Sequence, residues 1–362
     1  MPRKRIGILT GGGDCPGINA VIRAVTKSAI FQHDFEVYGI EDGFQGLIEN
    51  RIRKLEPEDV SNILTLGGTI LGTNNKCDPS RFPVEVNGRI EFQDLTRQCK
   101  ALLDARGIET LIVIGGDGTM SVASKFVEMG VNCIGVPKTI DNDLEGTDVT
   151  FGFATARYVA TAALDRIHTT AASHHRAMLV EVMGRNAGWI ALHAGTASGA
   201  DIILLPEIPF DINIVCNHIE ERLLSNKRFS IICVSEGARP VGGEQVVDHV
   251  DPLSPDPIRL GGVGRMVARQ IHEQIGIETR TTVLGHVQRG GTPVPEDRVL
   301  ATLFGAKAMQ LLVNGEKNRL VVMKGRELEH VDILSVANKQ RLVHLDHPLV
   351  HAARHVGTCF GD

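Results

Sequence analysis

Two short stretches about twenty residues apart carry residue types that could do chemistry: Gly115-Gly116-Asp117-Gly118-Thr119 and Pro137-Lys138-Thr139-Ile140-Asp141-Asn142-Asp143. The first follows the apolar run Leu111 to Ile114 and combines backbone without side chains, one carboxylate and one hydroxyl. Backbone N–H groups reach phosphate oxygens where no Cβ intervenes, and a helix start behind them adds partial positive charge. Asp117 is then the hard oxygen ligand that Mg2+ prefers. In the second stretch Asp141 and Asp143 are two residues apart, so an extended segment would point both to one side. Two carboxylates and a hydroxyl facing a phosphate site suggest acid/base work. Either stretch alone could equally be a glycine turn or an Asx-turn. Together they favour phosphate chemistry.

Three further clusters extend the pattern. Gly11-Gly12-Gly13-Asp14-Cys15-Pro16-Gly17-Ile18-Asn19 follows one apolar run and opens a helix. It departs from a dinucleotide fingerprint, because its third glycine falls one position late and no acidic residue is well placed about 20 positions on. Val182-Met183-Gly184-Arg185-Asn186-Ala187-Gly188 sets an arginine between glycines, with Arg176 nine residues before it. Glu278 to Gly291 contains Arg280, His286, Val287, Gln288 and Arg289 around a run that reads as a buried strand. Arginines grip phosphate bidentately, so several beside glycine-rich turns suggest a phosphorylated substrate. Singly, each arginine reads as a solvated charge and His286 as a structural imidazole. Cys15 lies near a helix N-terminus, where a thiolate is favoured and oxidation could obstruct the loop, but a small residue filling space is the preferred reading.

The elements that must position these groups alternate in period. Strands are predicted over Arg5 to Thr10, Glu109 to Ile114, Asn132 to Val136, Ala177 to Val182, Asp201 to Leu205, Phe229 to Val234 and Thr281 to Leu284. Helices are predicted from about Pro16, over Ser121 to Met129, and over Pro295 to Leu312. This is the α/β signature of parallel sheets covered by helices, whose binding sites sit in loops beyond the strand C-termini. The stretch Gly237 to Pro257 breaks the rhythm with Pro240, Pro252, Pro255 and Pro257, and reads as a loop excursion.

Bulk properties agree with a globular enzyme. The chain has 362 residues, 43% hydrophobic and 22% charged, enough for more than one core, so two domains are expected. A formal charge of −5 argues against binding to nucleic acid or to membranes, which needs a basic face. The seven cysteines show no C-x-x-C pair or ligand-like spacing to His, so free thiols in a reducing, intracellular compartment are expected.

The glycine loop, GGDGT, TIDND, the Met183-Gly184-Arg185 turn and the His286-to-Gly291 segment stand in the order and spacing of the phosphofructokinase family, which the whole chain resembles. The resemblance implies two Rossmann-like three-layer α/β/α domains: residues 1–152 with about 288–335 for the donor and Mg2+, and 153–287 with about 336–362 for fructose 6-phosphate. It implies transfer of a phosphoryl group to the 1-hydroxyl of that sugar phosphate, in the cytoplasm. Asp141 resembles the general base and Asp117 the magnesium ligand, with Gly13, Gly116, Gly118 and Thr119 around the donor. The basic residue that many bacterial ATP enzymes carry after the Leu71-Gly72-Thr73 turn aligns with Asn75, and adjacent Lys76 is the candidate to take over its phosphate contact. Thr139 and Arg185 would hold the transferring group. Ile140, Met183, Gly184, Glu236, Val287 and Gln288 resemble residues lining the sugar site, and Arg176, Arg280, His286 and Arg289 its 6-phosphate cradle. In the family the counterparts of Arg176 and Arg280 come from a neighbouring subunit, which implies a homo-oligomer.

Family members use ATP or pyrophosphate, and this chain carries one marker of each. Pyrophosphate enzymes place an Asp where Gly118 stands, and a carboxylate there would repel a nucleotide α-phosphate by about 4 kcal/mol at 4 Å and an effective dielectric near 20. Lys138 follows the pyrophosphate pattern but does not exclude a nucleotide. The absent repulsion outweighs the added attraction, so ATP is the expected donor. Pyrophosphate as donor and a non-catalytic, sugar-phosphate-binding subunit are the alternatives.

Overall fold

The computed structural model describes residues 3–252 and 256–362, so Pro255 of the excursion lies outside the described residues. It divides into two compact units. One is built from the chain through Ala154 together with Arg289–Gln340; the other comprises Thr155–Asp251, Ile258–Gln288 and Arg341–Asp362.

The first unit is organised around strands β1 (Arg5–Thr10), β2 (Glu36–Ile40), β3 (Ile52–Leu55), β6 (Ile108–Gly115), β7 (Asn132–Thr139), β8 (Phe151–Gly152), β15 (Arg319–Lys324) and β16 (Glu327–Asp332). Their order is β16-β15-β7-β6-β1-β2-β3, with β8 pairing β7. Pairing is parallel except at the two rims, where β2 meets β3 and β15 meets β16 antiparallel. A separate hairpin joins β4 (Phe82–Val86) to β5 (Arg89–Gln93).

In β6 both Leu111 and Val113 and the alternate Ile112 and Ile114 are fully buried, so each face of the sheet is covered. On one face the core joins Leu9, Leu111, Val113, Cys133 and Leu320 to α2 (Phe44–Ile48), α3 (Thr96–Arg106), α4 (Asp117–Glu128) and α10 (Ile333–Val336). Helices α1 (Ile18–His33) and α9 (Pro295–Val313) cross closely. A Cβ at Gly305 would stand 2.8 Å from Ala24 Cβ. Pro295 begins α9 where its missing N–H costs nothing.

The second unit holds a wholly parallel sheet ordered β10-β11-β9-β14, from β9 (Ala177–Val182), β10 (Ile202–Leu204), β11 (Ser230–Ser235) and β14 (Thr279–Val283). Its core gathers Leu179, Leu204 and Ile232 against α7 (Ile212–Leu224) and α8 (Val263–Ile275). On the other side α6 (Trp189–Ala197) lies tight on the strands, since a Cβ at Gly195 would meet Ile203 at 2.8 Å. Helices α5 (Phe153–His174) and α11 (Pro348–His355) complete the unit. Buried Glu181 accepts hydrogen bonds from the N–H groups of Gly262 and Gly264, which satisfies orphan donors at the start of α8.

Each unit is thus a three-layer α/β/α sandwich. Two expectations change in detail. β14 is an edge strand, half-buried at best, rather than a buried one. The excursion carries an antiparallel ribbon, β12 (Val247–Val250) with β13 (Ile258–Leu260). No helix among the described residues is long and apolar enough to cross a membrane.

Candidate active site

In the first unit the sequence motifs converge where β1, β6 and β7 end. Helix α4 starts at Asp117 itself, four residues before the predicted start, so Asp117 and Gly118 occupy its first turn behind the extended N-cap Gly116. The N–H groups of that turn have no partner inside the helix and face outward as anion donors. Gly11 and Gly115 are required by contact: a Cβ on either would lie within 2.6 Å of the Thr119 side chain. The glycine loop and the GGDGT turn therefore close around Thr119, which is buried. A Cβ at Gly118 would meet nothing within 4 Å, so this exposed position opens outward.

Asp117 Oδ2 accepts a hydrogen bond from Gln340 Nε2 at 2.8 Å. Among the described residues no cluster of three or more His, Cys, Asp or Glu could hold a metal ion by itself. A lone carboxylate with one oxygen held fits Mg2+, which is characteristically bound by one or two carboxylates, water and substrate phosphates.

Asp141 and Asp143 do not lie in an extended segment. Strand β7 ends at Thr139, and Asn142 takes φ 53° in the left-handed region, so the chain turns between the carboxylates. The turn is held by hydrogen bonds: Thr139 Oγ1 accepts from Asp141 N at 3.1 Å and donates to Asp143 Oδ1 at 3.2 Å. The Asn142 Oδ1 accepts from Thr150 N at 3.0 Å. Asp141 Oδ1 is buried and has no hydrogen-bond partner among the described residues. Burial raises the Asp141 pKa, opposed by Arg289 and Lys138 and reinforced by Asp117. Asp143 is pushed up to about 8 by burial, then by the negative charges of Asp141 and Asp117.

Lys138 is buried, and its Nζ donates to the Gly13 carbonyl at 2.5 Å, within the glycine loop. Burial lowers its pKa. Arg289 Nη1 donates to the Asp14 carbonyl at 3.1 Å, and a Cβ at Gly13 would stand 2.8 Å from that same nitrogen. Arg289 therefore sits with the glycine loop, in a different unit from Arg176, Arg280 and His286. Lys76 is exposed on a loop tied to the glycine loop, whose Gly12 N donates to the Asn74 carbonyl at 3.2 Å. Ile140 is fully buried. Cys15 is buried too, its Sγ donating to the Pro16 and Phe151 carbonyls, and burial raises its pKa. It fills space, and the reactive-thiolate alternative is set aside.

In the second unit Met183 and Gly184 are buried and Arg185 is half-buried at the end of β9. Gly184 has φ 129°, and Ser235 Oγ donates to its carbonyl at 2.5 Å. A Cβ at Gly237 would fall 1.8 Å from the Arg185 carbonyl oxygen, and Gln245 Nε2 donates to that oxygen at 3.0 Å. The Pro-rich excursion thus helps to seat Arg185, beside half-buried Glu236. Arg176 Nε and Arg280 Nη2 both bind Glu278, at 2.7 and 2.5 Å, and the Arg176 hydrogen bond holds the Glu278 carboxyl below its usual range. His286 and Val287 are exposed, whereas Gln288 is fully buried, donating to the Gly285 carbonyl at 3.0 Å.

Sequence reasoning missed Gln340 and Gln245, neither of which lies in a motif, and gave no role to Glu278, the first residue of the third cluster.

Comparisons with known proteins now bear on the site. A family model described as Phosphofructokinase matches residues 5–312. The chain is 50% identical over 364 residues to the ATP-dependent 6-phosphofructokinase 2 of Clostridium perfringens, covering 100% of both proteins. It is 46% identical over 340 residues to the pyrophosphate–fructose 6-phosphate 1-phosphotransferase of Amycolatopsis methanolica, covering 94% of this chain and 96% of that one. Among solved structures it resembles the T-state phosphofructokinase of Pichia pastoris, with TM-score 0.79 at 31% identity over 93% of this chain. The present chain spans 35% of the length of that one.

Proposed function

The chain belongs to the phosphofructokinase family, and on that premise we propose that it is an ATP-dependent 6-phosphofructokinase, transferring the γ-phosphoryl of Mg-ATP to the 1-hydroxyl of fructose 6-phosphate. The observation that carries this reading is Asp141: a buried carboxylate oxygen without a partner among the described residues, in the company of Asp117, Lys138 and Arg289, on the loop that follows β7.

Phosphoryl transfer asks a protein mainly to position reactants and neutralise spreading charge. In the first unit the N–H groups at the start of α4 and the glycine loop at Gly13 bind donor phosphates, with Lys76 near them. Asp117 would hold a magnesium ion, which would neutralise phosphate charge on the donor. Asp141 takes the proton of the sugar 1-hydroxyl. Its burial makes it a stronger base, while Arg289 and Lys138 favour the ionised form needed to accept the proton. Thr139 and Arg185 hold the transferring group. In the second unit Met183, Gly184 and Glu236 hold the sugar, and Arg176, Arg280 and His286 its 6-phosphate. Two arginines sharing Glu278 are pre-set as a fork for that phosphate. Two of these cradle residues coming from a neighbouring subunit would make the enzyme a homo-oligomer of the cytoplasm.

Pyrophosphate is the second reading, favoured by Lys138 and by the name of the Amycolatopsis relative. One of the three N–H groups of the Lys138 ammonium is taken by the Gly13 carbonyl, which seats the side chain in the glycine loop and leaves two for a phosphate of either donor. The donor choice rests on open space at Gly118.

Coupled assays of the wild-type protein and of Asp141→Ser with each donor test the proposal. The expected result is turnover with ATP and a loss of about 10² to 10⁴ in kcat for Asp141→Ser, with sugar-phosphate affinity retained. Activity with pyrophosphate alone overturns the donor assignment, and sugar-phosphate binding without any turnover revives the regulatory-subunit alternative.

A further inference from the structure

The segment that follows α10 touches both acidic motifs of the first unit. Gln340 Nε2 donates to Asp117 Oδ2 at 2.8 Å. The backbone of Gln340 makes an isolated antiparallel bridge with Leu144, the residue after Asp143. Two residues earlier, Asn338 N donates to Ser121 Oγ at 3.0 Å, and Ser121 Oγ donates in turn to the Asp117 carbonyl at 2.9 Å. Asn338 takes φ 58°, a left-handed turn that asparagine tolerates, and this turn brings the strand-like end of the segment onto the start of α4. Packing of α10 against α4 anchors the segment from behind.

We propose that Gln340 is a positioning residue for phosphoryl transfer: its amide fixes the Asp117 carboxylate, and its backbone ties the GGDGT helix to the loop carrying Asp141.

The chemistry of the contact suits this task. A carboxylate rotates about Cβ–Cγ unless one oxygen is anchored, and partners behind a metal ligand set its orientation. Gln340 Nε2 holds Oδ2 at 2.8 Å. A lysine or arginine in the same place would neutralise Asp117 and compete with a cation. A neutral amide anchors the oxygen and leaves the full negative charge for the ion. The bridge to Leu144 adds a second tie between the start of α4 and the Asp141 loop, beyond the pairing of β6 with β7 that ends at Gly115 and Pro137.

This inference rests on the proposed kinase reading, and its test separates the two. Gln340→Met keeps the volume and removes the amide. Mn2+ affinity of the protein–ATP complex, measured by electron paramagnetic resonance, should fall about 10- to 100-fold, the range found when partners behind a metal ligand are removed. The free Mg2+ needed for half-maximal turnover should rise by a similar factor, while the KM for fructose 6-phosphate and the melting temperature stay at wild-type values. Ser121→Ala, which breaks the link to Asn338, should weaken Mn2+ binding in the same direction by less, and it decides the matter if Gln340→Met does not fold. Unchanged Mn2+ affinity in the variant that is measured overturns the proposal. So does a loss that comes with lowered melting temperature and an equal rise in the sugar-phosphate KM, the signature of a merely structural contact. Wild-type protein that binds Mn2+-ATP but transfers no phosphoryl group removes the kinase reading, and the Mn2+ comparison still decides the role of Gln340.

Discussion

At the scale of single residues, the acidic loop makes its own prediction about pH. The folded state favours the neutral form of Asp143, whose pKa rises from 3.8 to about 8 through burial and the nearby carboxylates. Its stabilising effect is therefore full below pH 3.8 and is lost as pH climbs towards about 8. Asp143→Asn removes the ionisable group and should stabilise the ligand-free protein at pH 8 by about 1–3 kcal/mol, the gain vanishing near pH 4. Thermal melts across this range check it, and a gain that is independent of pH would contradict the assignment. Gly118 gives the second residue-scale prediction. Since a Cβ there meets no neighbour, Gly118→Asp should fold normally. Its kcat/KM for ATP should drop by up to about a thousandfold from charge repulsion, with the KM for fructose 6-phosphate unchanged. Equal kcat/KM in the two proteins would move donor choice elsewhere.

At the scale of elements, the excursion after β11 acts on the Arg185 turn. Because a Cβ at Gly237 would overlap the Arg185 carbonyl at 1.8 Å, Gly237→Ala must displace that turn. We expect kcat/KM for fructose 6-phosphate to fall at least tenfold, with Mg-ATP binding intact; calorimetric titration of each ligand measures both. The sequence pattern of strand and helix was a reliable guide to these elements where apolar periodicity was strong. β1 and β9 occupy the predicted residues, and α9 extends the predicted helix by a single residue. Periodicity could not show that β14 is an edge strand, because its neighbours are set by sheet order and not by its own composition. Nor could it show the turn at Asn142: two aspartates at alternate positions look the same in an extended chain and in a bend. The motifs marked Asp117 and Asp141 but not their supports. Gln340 lies 223 residues from Asp117, and nothing local in the sequence records the contact.

At the scale of the whole molecule, the proposed sharing of the 6-phosphate cradle between subunits has a direct test. Arg280→Ala and Asp141→Ser should each be nearly inactive alone. Dissociated, mixed and reassembled together, they should regain a measurable fraction of activity, because some sites then combine an intact Asp141 with an intact Arg280 from a neighbour. Failure to recover, with mixed oligomers confirmed by mass, would place all cradle residues of a site in one chain.

The interleaving of the two units has a further consequence, for the chain as it is being made. The first unit has its central strands β1, β6 and β7 by residue 139, yet β15 and β16, which complete one side of that sheet, follow only after most of the second unit has been translated. The sheet of the second unit is complete at Val283, and Arg341–Asp362 adds to it only the isolated bridge between Cys359 and Ile202 of β10. A ribosome-bound intermediate therefore carries one unfinished sheet, with the side of β7 that pairs with β15 still open. Early pairing is left to the parallel strands β1, β6 and β7 of that sheet.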